Sequence, residues 1–225
     1  MKEIEGNKME EEKEELRKRI VGKEIYWVIG SMAVLVLIFV VVSLVLQSFN
    51  KFEYEGLTFT KERFGEIPVY HYYYYLENHI TGSVIAKYNL YLRIDPRKND
   101  VPVDGEIEFI HGEYTFVSID GEGLTECEEN SVAIASLSGF LNDNDLRPKG
   151  AVPDKELARE LKVKYATCEE HSEGVVIMVQ EGNETKITRN GESCYVMEIA
   201  NCEMIKAVEK FELQTLLDAR KRAGI

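Results

Sequence analysis

Four cysteines, Cys127, Cys168, Cys194 and Cys202, are the residues of this 225-residue chain best equipped for chemistry, and all of them fall in its second half. A thiol can pair, bind metal or act as a nucleophile, and the spacing speaks to each. Four cysteines admit three disulfide connectivities, between which spacing alone does not choose. The reading favoured here pairs Cys194 with Cys202, whose seven intervening residues would close the junction of the last strand and last helix, and Cys127 with Cys168, pinning a helical insertion. A bridge over the larger loop contributes about 3 to 5 kcal/mol by the chain-entropy estimate. The competing metal reading rests on Cys168-Glu169-Glu170-His171, a C-x-x-H spacing that Cys127 and Cys194 would complete as a zinc site. It lacks a second paired C-x-x-C. A catalytic thiol would need a reduced cysteine of low pKa beside a histidine. Disulfides are the expectation, with no metal and no cofactor.

Tyr70-His71-Tyr72-Tyr73-Tyr74-Tyr75 is the most unusual local composition outside the apolar run. On a strand, side chains alternate, so Tyr70, Tyr72 and Tyr74 share one face while His71, Tyr73 and Tyr75 share the other. One row offers a stacking platform for sugars or an aromatic-rich peptide surface. The plainer reading is a strand buried on one face and half-buried on the other, where tyrosine joins a large apolar area to a polar tip. Tyr70, Tyr72, Tyr73, Tyr74 and Tyr75 are the candidate binding residues.

Other patterns fall short of chemistry. Asn142-Asp143-Asn144-Asp145 opens like a calcium loop but lacks the glycine and the terminal glutamate of one. Ser136-Leu137-Ser138-Gly139 sits in an expected helix without a G-x-S-x-G elbow, and Asp120 to Gly123 reads as a turn. The pairs Glu128-Glu129 and Glu169-Glu170 would serve as acid and base only if folding converged them, so they read as surface charge. No catalytic residue is assigned.

The elements that must position these residues follow from periodicity. Tyr54 to Phe59, Ile67 to Leu76 and Val84 to Ile94 read as three antiparallel strands, rich in β-branched and aromatic residues. Val101 to Ile110 and Tyr114 to Ile119 look like a further pair turned by His111-Gly112. Ser131 to Leu141 places Val132, Ile134, Ala135, Leu137, Phe140 and Leu141 at helical spacing, and a shorter helix begins at Pro153-Asp154 and runs toward Leu161. Lys162 to Cys168 and Val175 to Gln180 read as strands, the latter nearly continuous in apolar residues and hence central. Turn pairs Gly182-Asn183 and Asn190-Gly191 flank Thr185 to Thr188 and lead into Cys194 to Ala200. A last helix, Glu203 to Arg222, ends in Arg220-Lys221-Arg222, where its dipole favours cations. The class is α+β, mixed and mainly antiparallel, with two or three helices after a single transmembrane helix and no strict βαβ repetition.

The 26 residues from Ile25 to Asn50 carry no charge. A helix of about 20 apolar residues crosses a hydrocarbon core about 30 Å thick. A cleaved signal peptide has an apolar region of about 7 to 15 residues ending in small side chains. This run is longer and exits through Leu44-Val45-Leu46-Gln47-Ser48-Phe49, so it reads as an uncleaved signal anchor. Near it, five cations (Lys13, Arg17, Lys18, Arg19 and Lys23) precede the span and three (Lys51, Lys61 and Arg63) follow, which puts the N-terminus in the cytoplasm. The expected domains are a charged cytoplasmic helix at 1–24, the span at 25–49 and an extracytoplasmic α+β domain at 50–225. The net charge of −13 resides almost wholly after residue 50, where 32 acidic residues face 20 basic ones. That balance argues against nucleic acid as a partner, because phosphate binding needs clustered cations. Asn183-Glu184-Thr185 is an acceptor sequon for N-glycosylation, and with the cysteines it favours an external, oxidising location.

The stretch from Val175 through Gly182-Asn183-Glu184-Thr185-Lys186-Ile187 to Cys194-Tyr195, with the helix Glu203 to Leu217, resembles the C-terminal module of uncharacterised archaeal envelope proteins, some single-pass. Tyr91-Leu92-Arg93-Ile94-Asp95-Pro96-Arg97 is similar to unnamed members of the same group, and the likeness covers most of residues 52 to 219. The resemblance implies an archaeal cell-surface location and disulfides, and it brings no activity. The combined expectation is a non-enzymatic, single-pass cell-membrane protein whose external domain binds an envelope protein or a glycan. An envelope enzyme, a hydrolase or a thiol oxidoreductase using Cys168 with His171, is the alternative, as is a pilin-like filament subunit. Oligomeric state is not legible.

Overall fold

The computed structural model describes residues 26–45, 50–77, 83–109, 112–124, 127–170 and 174–224. The charged segment expected to be helical before the span, Ile25, Leu46 to Phe49, His111 and His171 lie outside the described residues. The chain divides into two compact units, residues 1–51 and 52–225.

In the first unit, helix α1 (Tyr26–Val45) has 20 residues, a mean hydropathy of 3.0 and no buried part. At 1.5 Å per residue it is about 30 Å long, the thickness of a hydrocarbon core. It is long and apolar enough to cross a membrane.

The second unit is α+β and begins with a four-stranded sheet in the order β1 (Lys51–Tyr54), β2 (Leu57–Phe64), β3 (Ile67–Glu77), β4 (Val84–Leu92). The first expected strand is in fact two. Glu55 and Gly56 both take the left-handed conformation, φ 48° and 74°, and fold β1 back on β2 through a two-residue turn. Gly65, at φ 65°, serves the next turn, and β3 pairs antiparallel with both β2 and β4.

A seven-stranded sheet follows, in the order β5 (Val103–Asp104), β10 (Lys186–Arg189), β11 (Cys194–Ile199), β9 (Val175–Glu181), β6 (Thr115–Ile119), β7 (Pro148–Val152), β8 (Lys164–Tyr165). β9 is its middle strand, as its unbroken apolar run implies. Five of the six neighbouring pairs in this sheet are parallel, and only β10 with β11 is antiparallel. Helix α2 (Asn130–Asp143) connects β6 to β7 and helix α3 (Lys155–Leu161) connects β7 to β8, giving two successive βαβ units. Periodicity did not reveal that repetition because α3 has seven residues and β8 two.

The expected hairpin of residues 101–110 with 114–119 does not form. Only Val103–Asp104 is strand, and it pairs with β10 instead. β6 already has β7 on one side and β9 on the other. The backbone after β5 finds side-chain acceptors: Ile107 donates its N–H to Asp218 Oδ2 at 2.7 Å and Glu108 to the Tyr195 hydroxyl at 2.7 Å. The strand expected over 162–168 is likewise reduced to β8.

Helix α4 (Met204–Ala223) is closed by Gly224 at φ 73° and ends in Arg220, Lys221 and Arg222. Its buried residues, among them Met204, Ala207, Val208, Glu209, Phe211, Glu212, Leu213 and Asp218, go round most of its circumference. A helix buried on several sides must be packed from several sides. α4 contacts α2, β10 and β11, and hydrogen-bonds to the exit of β4 and to the β1–β2 turn. One continuous core joins Leu57, Phe59, Leu90 and Leu92 of the first sheet to Leu137 and Leu141 of α2, Phe211 of α4, and Ile177, Tyr195 and Met197 of the second sheet. The opposite face of the second sheet carries a smaller cluster of Ala151, Ala166, Val176 and Cys194.

All four cysteines are in disulfides, and the pairing differs from the one favoured by spacing: Cys127 bonds Cys202 and Cys168 bonds Cys194. The reason lies in β11. An extended strand rises about 3.3 Å per residue, so its five steps from Cys194 to Ile199 carry the chain about 17 Å, well beyond the roughly 7 Å Cα limit of a disulfide. Cys202 instead sits just before α4, and Cys127 just before α2, so the packing of those helices brings the two together at a Cα distance of 5.5 Å. Cys168, on the return from β8 to β9, meets Cys194 at 5.4 Å beside the smaller cluster.

Candidate binding surface

β3 alternates as its sequence requires. Tyr70 is buried, and Tyr72 and Tyr74 are half-buried and packed on the main core. Tyr74 also bonds the Asn144 side chain at the end of α2, its hydroxyl 3.0 Å from Oδ1 and 2.7 Å from Nδ2. Burial pushes the Tyr74 phenol up to about 12 and raises that of Tyr70. Three of the five candidate tyrosines therefore belong to the inner face. Tyr73 and Tyr75, 49% and 52% exposed, point outward with His71.

Antiparallel register assembles the rest of that outer face. His71 pairs across with Thr60 and Tyr91, Tyr73 with Asn89, and Tyr75 with Lys87. The imidazole stacks on the Tyr91 ring at 4.6 Å and 14°, with Nδ1 2.9 Å from Glu62 Oε1 and Nε2 3.0 Å from Asn89 Oδ1. His71 is thus fixed from three sides across three strands. The Lys87 ammonium lies 4.1 Å from the Tyr73 ring centroid, and Tyr73 meets Tyr75 edge-to-face at 5.9 Å. Tyr91 is 53% exposed, and Phe64 and Ile67 are exposed at the β2–β3 turn. The result is a row of standing aromatic rings, locked in orientation by their neighbours and interleaved with hydrogen-bonding Asn89, Glu62 and Lys87. Such a surface can stack on flat or apolar ligand faces and bond their polar edges.

Glu62, Lys87, Asn89 and Tyr91 are not among the binding residues expected from sequence, although Lys87-x-Asn89-x-Tyr91 alternates within an expected strand. What was missing was register, since only pairing places them beside Tyr73 and Tyr75. Asn183 is exposed in the turn between β9 and β10. The sequon's Thr185 is buried, its hydroxyl donating to the Ala200 carbonyl at 3.2 Å and accepting from the Ala200 N–H at 3.1 Å.

A second group of polar residues lies inside the domain. On α4, Glu209 accepts the N–H of Arg93 at 2.7 Å and of Ile94 at 2.9 Å, one on each carboxylate oxygen. One turn later Glu212 accepts the Ser136 hydroxyl at 2.9 Å. Both acids are buried, which lifts Glu209 to about 7 and Glu212 to about 8. Asp95 shows the opposite behaviour, because the Arg97 guanidinium beside it holds its carboxyl below the usual range. Both C-x-x-H thiolate readings lose their ligand or nucleophile, since Cys168 is bonded to Cys194.

Comparison with protein-family models, with curated proteins and with solved structures returns no match for this chain.

Proposed function

We propose that this chain is a single-pass membrane protein, N-terminus in the cytoplasm, whose disulfide-braced external domain binds a protein or glycan partner of the cell envelope without catalysing a reaction. The observation that carries the reading is the outer face of the first sheet, where Tyr73, Tyr75 and Tyr91 are exposed yet held in place by His71, Lys87 and Asn89. Orientation fixed in advance lowers the entropy lost on binding. The apolar length of α1 and the two disulfides support an anchored domain in an oxidising compartment. The resemblance read from the sequence alone, if it holds, implies the same location. On this reading Asn183 carries a glycan, added to the chain before Thr185 is locked onto Ala200.

The test uses the full chain in lipid nanodiscs, screened against glycans and envelope proteins of its own cell. Tyr73→Ala, Tyr75→Ala and Tyr91→Ala lose most of the binding, at about 1 to 3 kcal/mol each for stacking rings. Substitution of exposed Leu157 on α3 leaves it unchanged. If the tyrosine variants bind as the parent does, the surface assignment is wrong.

A further inference from the structure

Two carboxylates, one helical turn apart on α4, are buried in the domain, with Glu209 4% and Glu212 1% exposed. Their surroundings are specific. The exit of β4 supplies two N–H donors and Arg93, whose guanidinium is committed to Glu129 at 2.9 Å. Glu129, just before α2, adds a further negative charge near Glu209. From α2 comes the neutral Ser136 hydroxyl. From β3 comes Tyr74, whose phenol bonds Asn144 and stays neutral far into the alkaline range. Among the described residues, one cation, already paired, therefore faces two acids.

The hydrogen bonds tell the two acids apart. Each oxygen of Glu209 receives a backbone N–H, and two such donors favour the charged form. Of the two acids, Glu209 is the one set up to ionise first. Glu212 receives a single hydroxyl, which donates as readily to a neutral acid. A second charge beside the first, both buried, is strongly disfavoured.

We infer that Glu209 and Glu212 hold one proton between them, resident on Glu212, and that its loss opens a clasp by which α4 grips the exit of the first sheet at Arg93 and Ile94. The upward shifts of both carboxyls are in the order the hydrogen bonds demand, Glu212 above Glu209. When Glu212 ionises, the two like charges are relieved by water entering between α4, α2 and the end of β4. The first bonds reached are those from Arg93 and Ile94, at the seam where the first sheet joins the rest of the domain. The device is independent of the binding reading, and it makes attachment of the sheet that bears the aromatic face dependent on proton concentration.

Infrared difference spectroscopy on the full chain in nanodiscs reads the proton directly. Between about pH 7.5 and pH 9 wild type loses the carbonyl band of a buried protonated acid, and Glu212→Gln lacks most of that change. Amide exchange at Arg93 and Ile94, corrected for its intrinsic pH dependence, accelerates by about tenfold or more over the same range in wild type and stays level in Glu212→Gln. No protonated band in wild type at about pH 7.5, an equal loss of band between about pH 7.5 and pH 9 in Glu212→Gln, or exchange that stays level in wild type would each overturn the inference. If Glu212→Gln does not fold, the wild-type band and wild-type exchange still decide it.

Discussion

Removing the disulfides one at a time tests both the connectivity and what it contributes. The Cys127–Cys202 bridge spans 75 residues and the Cys168–Cys194 bridge 26. On the chain-entropy relation these lengths correspond to about 4.5 and about 3.5 kcal/mol at room temperature. The pairing favoured by spacing reverses the burden, with about 2.5 kcal/mol for the short Cys194–Cys202 loop and about 4 kcal/mol for Cys127–Cys168. Double replacements by serine, Cys127 with Cys202 and Cys168 with Cys194, are made in the full chain and unfolded in urea without reductant. Far-ultraviolet dichroism is the signal, because the single tryptophan, Trp27, lies in α1 and does not report on the domain. The first pair is expected to cost about 4 to 5 kcal/mol and the second about 3 to 4. Domain stabilities run from about 5 to 15 kcal/mol, so loss of both bridges brings the chain to the edge of unfolding. Single replacements identify the partners: in Cys202→Ser the liberated thiol is Cys127. Alkylation of Cys194 in that variant would refute the helix-to-helix staple and the argument from the length of β11.

Two further outcomes follow from the core. Glu212 titrates at about 8 when folded against 4.5 for an ordinary glutamate, so between those values the folded chain holds a proton that the unfolded chain has released, and stability falls as pH rises. At about 1.4 kcal/mol per unit, the loss from this residue approaches 4 kcal/mol between about pH 5 and pH 8, and Glu212→Gln removes that share of the slope in urea titrations across the range, leaving the part due to Glu209. Gly174 sits at φ 84°, and a Cβ there would overlap the Tyr114 carbonyl oxygen where β6 and β9 start. Gly174→Ala is expected to cost about 2 kcal/mol or more, read as a lowered urea midpoint, and an unchanged midpoint would contradict the packing of that turn.

Much of the framework was legible because strong periodicity survives tertiary context. α2, α3, α4 and β9 fall within a residue or three of the spans read from apolar spacing and cap residues, and Asp154 accepts the Leu157 N–H as a helix cap should. Alternation sorted the tyrosines of β3 onto two faces correctly, since nothing but strand geometry is needed for that. Features set by distant partners were not legible. The 103–109 segment looked like half of a hairpin, but its backbone donors are taken by Asp218 and Tyr195, about a hundred residues away in sequence. The disulfide partners depended on which helices pack together. Glu209 and Glu212 carried one available signal, acids set among the apolar positions of α4, and helical amphipathicity read on one face alone passes over it.

The proposed function requires a disulfide-braced domain on the external side of the membrane, anchored by α1. The most direct test treats intact expressing cells with a membrane-impermeant maleimide, with and without a membrane-impermeant reductant, and maps the labelled peptides. No labelling is expected without reductant, and labelling of Cys127, Cys168, Cys194 and Cys202 after it. Cysteines that react only once the cells are opened, and without reductant, would contradict both the bridges and the orientation.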